Sequence, residues 1–259
     1  MTAWRPQGDL VFDEDFRDRS AFEERWIPHY LPQWSSRERS RARFRFDGAG
    51  LRLLIEADQH PWAPEWDGAL RVSNLQTGVR SGPVGSGDGQ HRFRPDLVVR
   101  EAQSECWAFT PTGGAVAIRC RANPDPRTMT ALWLIGVERT PDESAELCVM
   151  EVFGRELQPD HCLVGMGLHP FGDPAITDDF EKVPVAGDLT ATHEYAAEWG
   201  SGWARWYVDG ALVKESRQAP DYPLQLMLDI FEFEPDPAGD YPKEFAVESV
   251  RAWAPVSSR

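Results

Sequence analysis

Positive charge is scarce in this chain of 259 residues: 27 Lys and Arg stand against 42 Asp and Glu, a formal net charge of −15. Recognition of phosphate rests on basic surface, so the balance argues against nucleic acid and membrane as partners, and equally against a strongly anionic polysaccharide. Long apolar runs are missing as well, none approaching the roughly 18 residues that a membrane span requires. The opening MTAWRPQGDLVFDEDF contains no apolar h-region, so the expected location is cytoplasmic, or secreted if the sequence is a trimmed mature form. Cysteines number four, at 106, 120, 148 and 162, which fits reduced thiols. Cys106 and Cys120 flank the turn signal at 111–114 and could face each other across a hairpin, either as two buried thiols or as a disulfide. Cys148, His161, Cys162 and His169 are of zinc-binding types, but their spacing matches no familiar zinc pattern. Helical periodicity is rare, and fixed-period repeats are absent.

What is present is β-forming. With 41% hydrophobic residues, 11 Trp and 13 Phe there is ample material for a core, and 21 Gly with 21 Pro suit many short strands joined by turns. No linker divides the chain, so one domain over residues 1–259 is expected, its core running from about 12 to 253. The clearest hairpin is WARWYVDGALVKES, in which Asp209-Gly210 is a strong two-residue turn signal; Trp203, Arg205 and Tyr207 should share one face, Trp206 and Val208 the other. One short helix is expected over Ser20 to Arg25, capped by Ser20 with Glu23 three residues on. Arg37, Arg39, Arg41, Arg43 and Arg45 alternate like one face of a strand, read as a solvated face that balances acidic neighbours. Stretches from His169 to Gly187 and from Glu234 to Glu244 read as long loops, fit to rim a cleft.

The most informative segment is ELCVMEVFG, Glu146 to Gly154. Along a regular strand Glu146 and Cys148 share a face while Glu151 falls on the other. One β-bulge near Val149 and Met150 would bring all three to one face and leave the apolar residues to the core. Two carboxyl groups about 5 to 5.5 Å apart are what a retaining glycosidase requires.

This run resembles the catalytic strand of glycoside hydrolase family 16, whose pattern is Glu, aliphatic, Asp, one or two apolar residues, Glu. The order of other segments resembles the family too: VFDEDF (11–16), FEERW (22–26), ALWLIG (131–136), Leu168-His169, HEYAAEW (193–199), WYVDGALV (206–213), LMLDIFEF (226–233) and FAVESVRAW (245–253). The resemblance implies an all-β fold, a jelly-roll β-sandwich of two antiparallel sheets with a concave substrate cleft. It further implies a retaining glycoside hydrolase or transglycosylase acting on β-glycosidic bonds of a polysaccharide or oligosaccharide, with β-1,3-glucan as one substrate. In that scheme Glu146 is the nucleophile and Glu151 the acid then base; Trp133, His169, Trp199 and Asp229 stand at substrate-binding positions. No cofactor is required, but family members often hold a structural calcium, and the matching positions are Gly50 and Glu248, the latter a glutamate where the family has aspartate.

Cys148 departs from the pattern, standing where the family has its central aspartate. A thiol is a weak donor and normally neutral, so the substitution removes like-charge repulsion and should lower the pKa of Glu151 relative to the family arrangement. The alternative reading is therefore a non-catalytic carbohydrate-binding protein on the same fold.

Overall fold

The computed structural model describes residues 4–256. Sixteen strands dominate it. The first eight are β1 (Leu10–Glu14), β2 (Arg43–Phe46), β3 (Leu51–Ile55), β4 (Arg71–Gln76), β5 (Gly78–Val79), β6 (Cys106–Trp107), β7 (Gly114–Arg121) and β8 (Thr128–Gly136). The others are β9 (Glu146–Leu157), β10 (His161–His169), β11 (Glu181–Ala186), β12 (His193–Gly200), β13 (Trp203–Val208), β14 (Ala211–Ser216), β15 (Leu224–Glu232) and β16 (Lys243–Trp253). Fourteen of them form two large antiparallel sheets, and β5 pairs with β6 apart from both. One, of eight strands, runs β14-β13-β12-β7-β16-β3-β2 with β1 also on β16, and the other, of six, runs β11-β10-β9-β8-β15-β4. The result is the expected all-β jelly-roll-like sandwich.

The alternation of side chains decides which residues lie between the sheets. From β8, Leu132 and Leu134 enter the core between the sheets, where they meet Leu226 and Leu228 of β15 and Tyr195, Trp199 and Trp206 of the facing sheet. Ala131, Trp133 and Ile135 point the other way and join a second apolar cluster with Tyr30, Trp34, Trp62, Leu97 and Phe231. Segments around residues 30–34, 62–70 and 91–99 thus cover part of the outer face of the six-stranded sheet. This is why β15 is buried along its whole length: both of its faces are packed, as for a central strand with a layer on each side.

Local chemistry matches the sequence in some places and departs from it in others. Asp209 and Gly210 both adopt positive φ, the twist a two-residue hairpin needs between β13 and β14. The short helix, α1 (Arg19–Arg25), is capped by Asp18, which accepts from the backbone N–H groups of Ser20 and Ala21, so Ser20 is the first-turn residue rather than the cap. The arginine stripe is a strand only from Arg43 onward. Arg43 pairs with Glu56 and Asp58, and Arg45 with Glu244, so these two balance acidic neighbours. Cys106 and Cys120 do not share a hairpin: β6 pairs with β5, whereas β7 pairs with β12 and β16. All four cysteines are free, and Cys106 is exposed. The stretch expected as one loop from His169 contains β11, which extends the six-stranded sheet beyond β10.

Candidate active site

The site is built at an irregularity in β9. Leu132 of β8 opposes Met150, yet its neighbour Trp133 opposes Cys148, so Val149 has no partner. On the other side Gly165 opposes Glu151 and Gly167 opposes Cys148, giving the same excess of one residue in β9. This is the bulge expected near Val149 and Met150. Both of those side chains are fully buried between the sheets. Glu146, Cys148 and Glu151 all emerge on the opposite face: Cys148 in the outer apolar cluster, and the two glutamates in the wall of one cleft. That cleft measures about 260 Å³ and is lined in addition by Tyr30, Asp67, His91, Trp133 and Phe231. A larger concavity of about 750 Å³ lies on the eight-stranded sheet around Trp4, Glu198 and Tyr207 and contains neither carboxylate of the pair.

Two glycines of β10 make room for this arrangement. A side chain at Gly165 would run into the ring of Phe180 and the Cβ of Glu151. Gly167 has φ +137, and a Cβ there would meet the carbonyl oxygen of Asp179 at 2.1 Å. The close approach lays residues 178–180 against β10, where Phe180 stacks on His169 at 4.5 Å and the Asp178 carboxylate lies 3.2 Å from His169 Nδ1. His169 itself stands directly opposite Glu146 in the ladder. Ligand atoms of Glu146, Cys148 and His169 all lie within 4.8 Å of one another.

Burial sets the electrostatics. Desolvation, reinforced by the charges of Glu151, Glu138 and Asp178, pushes the Glu146 carboxyl up to about 8. Glu151 is also raised by burial, against a hydrogen bond from Cys148 and the nearby charge of His169, which favour its ionised form. The Cys148 thiol is driven well above its ordinary range by burial and by both glutamates, so it is a neutral donor. Burial thus favours the protonated form of both carboxyl groups, whereas retaining chemistry needs one of them ionised to attack and the other protonated to act as acid.

The remaining expected residues divide. Trp133 lines the cleft, and its indole N–H donates to Asp229 at 2.8 Å. Asp229 is 0% exposed and its carboxyl is raised far above the usual range by burial; it orients Trp133 from beneath and is out of reach of a ligand. Trp199, expected in the cleft, is 1% exposed on β12 and packs between the sheets. Its segment belongs to the opposite sheet, so the alternation that buries its ring points it away from any cleft. Gly50 and Glu248 do meet, since a Cβ at Gly50 would lie 3.0 Å from the Glu248 Cα. The Glu248 carboxylate, however, accepts from Thr192 and pairs with Arg119 at 3.3 Å. A guanidinium already supplies the positive charge there, and the residues present do not compose a calcium cage.

His91 was invisible to pattern reading. It sits in a loop without periodicity, at φ +52, held by its own N–H donating to Glu138 Oε1 at 2.6 Å. Its ring stacks on Phe171 at 4.5 Å, meets Trp133 edge-on, and brings Nδ1 to 3.6 Å from Glu146 Oε1. Only the pairing of a histidine with a left-handed backbone would have marked it, and that is a property of the fold.

Comparison with known proteins agrees with this geometry. The model of the Glycosyl hydrolases family 16 matches residues 108–232, the span that contains β9. No curated protein matches the sequence. Among solved structures, the GlcNAcα1-4Gal releasing endo-β-galactosidase from Clostridium perfringens superposes with a TM-score of 0.84 at 25% identity over 99% of this chain. The chain spans 64% of that enzyme's length. The laminarinase from Flavobacterium sp. UMI-01 has a TM-score of 0.63 at 14% identity, covering 95% of this chain and all of its own. A β-glucanase from Bacillus licheniformis gives 0.60 at 15%, covering 96% of this chain and all of its own. The family match covers residues 108–232, just under half of the chain, and the fold over nearly the whole chain is similar to that of these enzymes.

Proposed function

We propose that this protein is a retaining glycoside hydrolase or transglycosylase that acts on β-glycosidic bonds of an oligosaccharide or polysaccharide. The observation that carries the reading is the bulge at Val149, which turns Glu146 and Glu151 into one cleft from a single strand. In the proposed cycle the Glu146 carboxylate attacks the anomeric carbon while Glu151 gives its proton to the departing oxygen. Glu151 then takes a proton from water, or from an acceptor hydroxyl, whose oxygen displaces Glu146 and restores both groups. Trp133, braced by Asp229, offers an aromatic face to a sugar ring beside the pair.

For the substrate, the similarity to the clostridial endo-β-galactosidase favours β-galactoside-containing glycans over β-1,3-glucan, since its TM-score of 0.84 stands well above the 0.63 of the laminarinase. A second reading, carbohydrate binding without turnover, draws on Cys148, a buried neutral thiol in place of an ionisable partner for the dyad. Reducing-end release from β-galactans, β-1,3-glucan and mixed-linkage glucans, by wild type and by Glu146→Gln, tests the proposal. Release by wild type alone supports it. Silence of wild type across the panel, with release by Cys148→Asp, would move the protein to the binding reading.

A further inference from the structure

Cys148 changes what the cleft can hold. A carboxylate, a thiol and an imidazole, each contributing one donor atom, converge within 4.8 Å from Glu146, Cys148 and His169. Carboxylate, thiolate and imidazole are the three protein ligand types of zinc, whose bonds of about 2.0–2.3 Å are short enough for one ion to span such a group after small side-chain rotations. The hard central carboxylate of the family pattern would not select a thiophilic metal, whereas a thiolate does.

Two further observations point to a cation at this place. His169 Nδ1 lies 3.2 Å from the Asp178 carboxylate, and Phe180 stacks on its ring. A carboxylate this close to Nδ1 favours the tautomer that carries its proton there and leaves the Nε2 lone pair for a metal, as the outer-shell carboxylates of metal-bound histidines do. Separately, His91 is 8% exposed, its Nδ1 has no hydrogen-bond partner, and that nitrogen approaches Glu146 Oε1 to 3.6 Å. An orphaned buried nitrogen beside the cluster is a fourth donor in waiting.

We propose that the cleft floor is a binding site for a thiophilic divalent cation, zinc being the best match, held by Glu146, Cys148 and His169 with the fourth position left to His91 or a water. Binding removes Glu146 from attack, so zinc and turnover exclude each other; this consequence, unlike the site itself, rests on the glycosidase reading. Binding displaces the protons of the Glu146 carboxyl and the Cys148 thiol to solvent, and the two positive charges of the ion offset the two anions so formed.

The test uses the full chain carrying Cys106→Ser, which removes the exposed thiol as a competing ligand. Titration with cobalt(II) should give a near-ultraviolet thiolate-to-cobalt charge-transfer band that zinc(II) abolishes on addition. Cys148→Ser and Cys148→Asp should lose the band, and Asp178→Asn should weaken zinc binding by about 10–100-fold while keeping it. If both Cys148 variants fail to fold, His169→Gln leaves the buried thiol in place and should weaken binding and alter the cobalt spectrum. Absence of the band in folded protein, or its persistence in a folded Cys148 variant, overturns the site. Zinc should also stop glycan release where release occurs, and EDTA should restore it. Release that continues with zinc bound would refute the exclusion, whereas a protein that binds cobalt through Cys148 but cleaves nothing would keep the site and remove the glycosidase reading.

Discussion

The indole N–H of Trp206 donates to the backbone carbonyl of Cys148 across 2.8 Å, linking the eight-stranded sheet to the bulge in β9. A bulge interrupts the ladder and leaves backbone groups to be satisfied by other means. Here the partner comes from β13 through the core, and Trp206 is wholly buried. The bulge that collects the two glutamates is thus held from the opposite sheet.

Trp206→Phe keeps the aromatic bulk and removes the donor. An unsatisfied buried carbonyl costs about 1–3 kcal/mol, and the register at Val149 loses its anchor. Urea unfolding should show a loss of that size. Glycan release should fall further than Trp199→Phe makes it fall, because the Trp199 indole nitrogen has no partner to lose.

Glu146→Gln should stabilise the protein at neutral pH while lowering activity about 10³-fold or more. The folded carboxyl titrates near 8 against an ordinary 4.5. Stability from the protonated form is therefore complete below about pH 4.5, is lost as pH rises toward 8, and stays lost above it. Glutamine removes that loss. A gain of about 1–3 kcal/mol, or ~2–4 °C in Tm per kcal/mol, should appear at pH 8 and vanish near pH 4.5. Melting curves across that window give the answer.

The same shifts set the dependence of turnover on pH. A retaining pair works with one proton between its two carboxyls, and both are raised by burial. Glu146 must lose its proton to attack, so kcat/KM should rise as pH climbs toward about 8, and it should fall at higher pH as Glu151, itself raised by burial, ionises. Cys148→Asp adds a third carboxyl and should carry the alkaline limb higher. A profile for wild type that falls already above pH 6 would contradict the assignment.

At the start of β16, Lys243 is buried, bonded to Asp125 and 3.9 Å from Glu232, which is itself fully buried and paired with Arg71. Lys243→Ala leaves these carboxylates short of a partner and should destabilise by about 3–5 kcal/mol. Calorimetry should show it, and Arg251→Ala, an exposed pair with Asp13, should cost less than about 1 kcal/mol.

The fold and the dyad were legible because they rest on local rules. Alternation along β8, β9 and β15, the Asp209-Gly210 turn and the one-residue excess between Glu146 and Glu151 can all be read from spacing. What was not legible depends on segments distant in sequence. Trp199 looks like a ligand platform until its strand is assigned to the other sheet. Asp229 looks like a binding group until Trp133 is seen to lie over it. His91 reaches Glu146 from a loop more than fifty residues away, through a backbone conformation that periodicity cannot reveal. Ser20 and Asp18 are both good caps, and only the backbone geometry chooses between them.

The central claim is that Glu146 attacks the sugar. Intact-protein and peptide mass spectrometry after incubation with an activated 2-deoxy-2-fluoro β-galactoside tests it most directly, because such a probe forms the glycosyl-enzyme but releases it slowly. A single adduct on the peptide bearing Glu146, absent in Glu146→Gln, is the predicted result. An adduct on Glu151, or turnover of a natural glycan with no adduct formed, would contradict it.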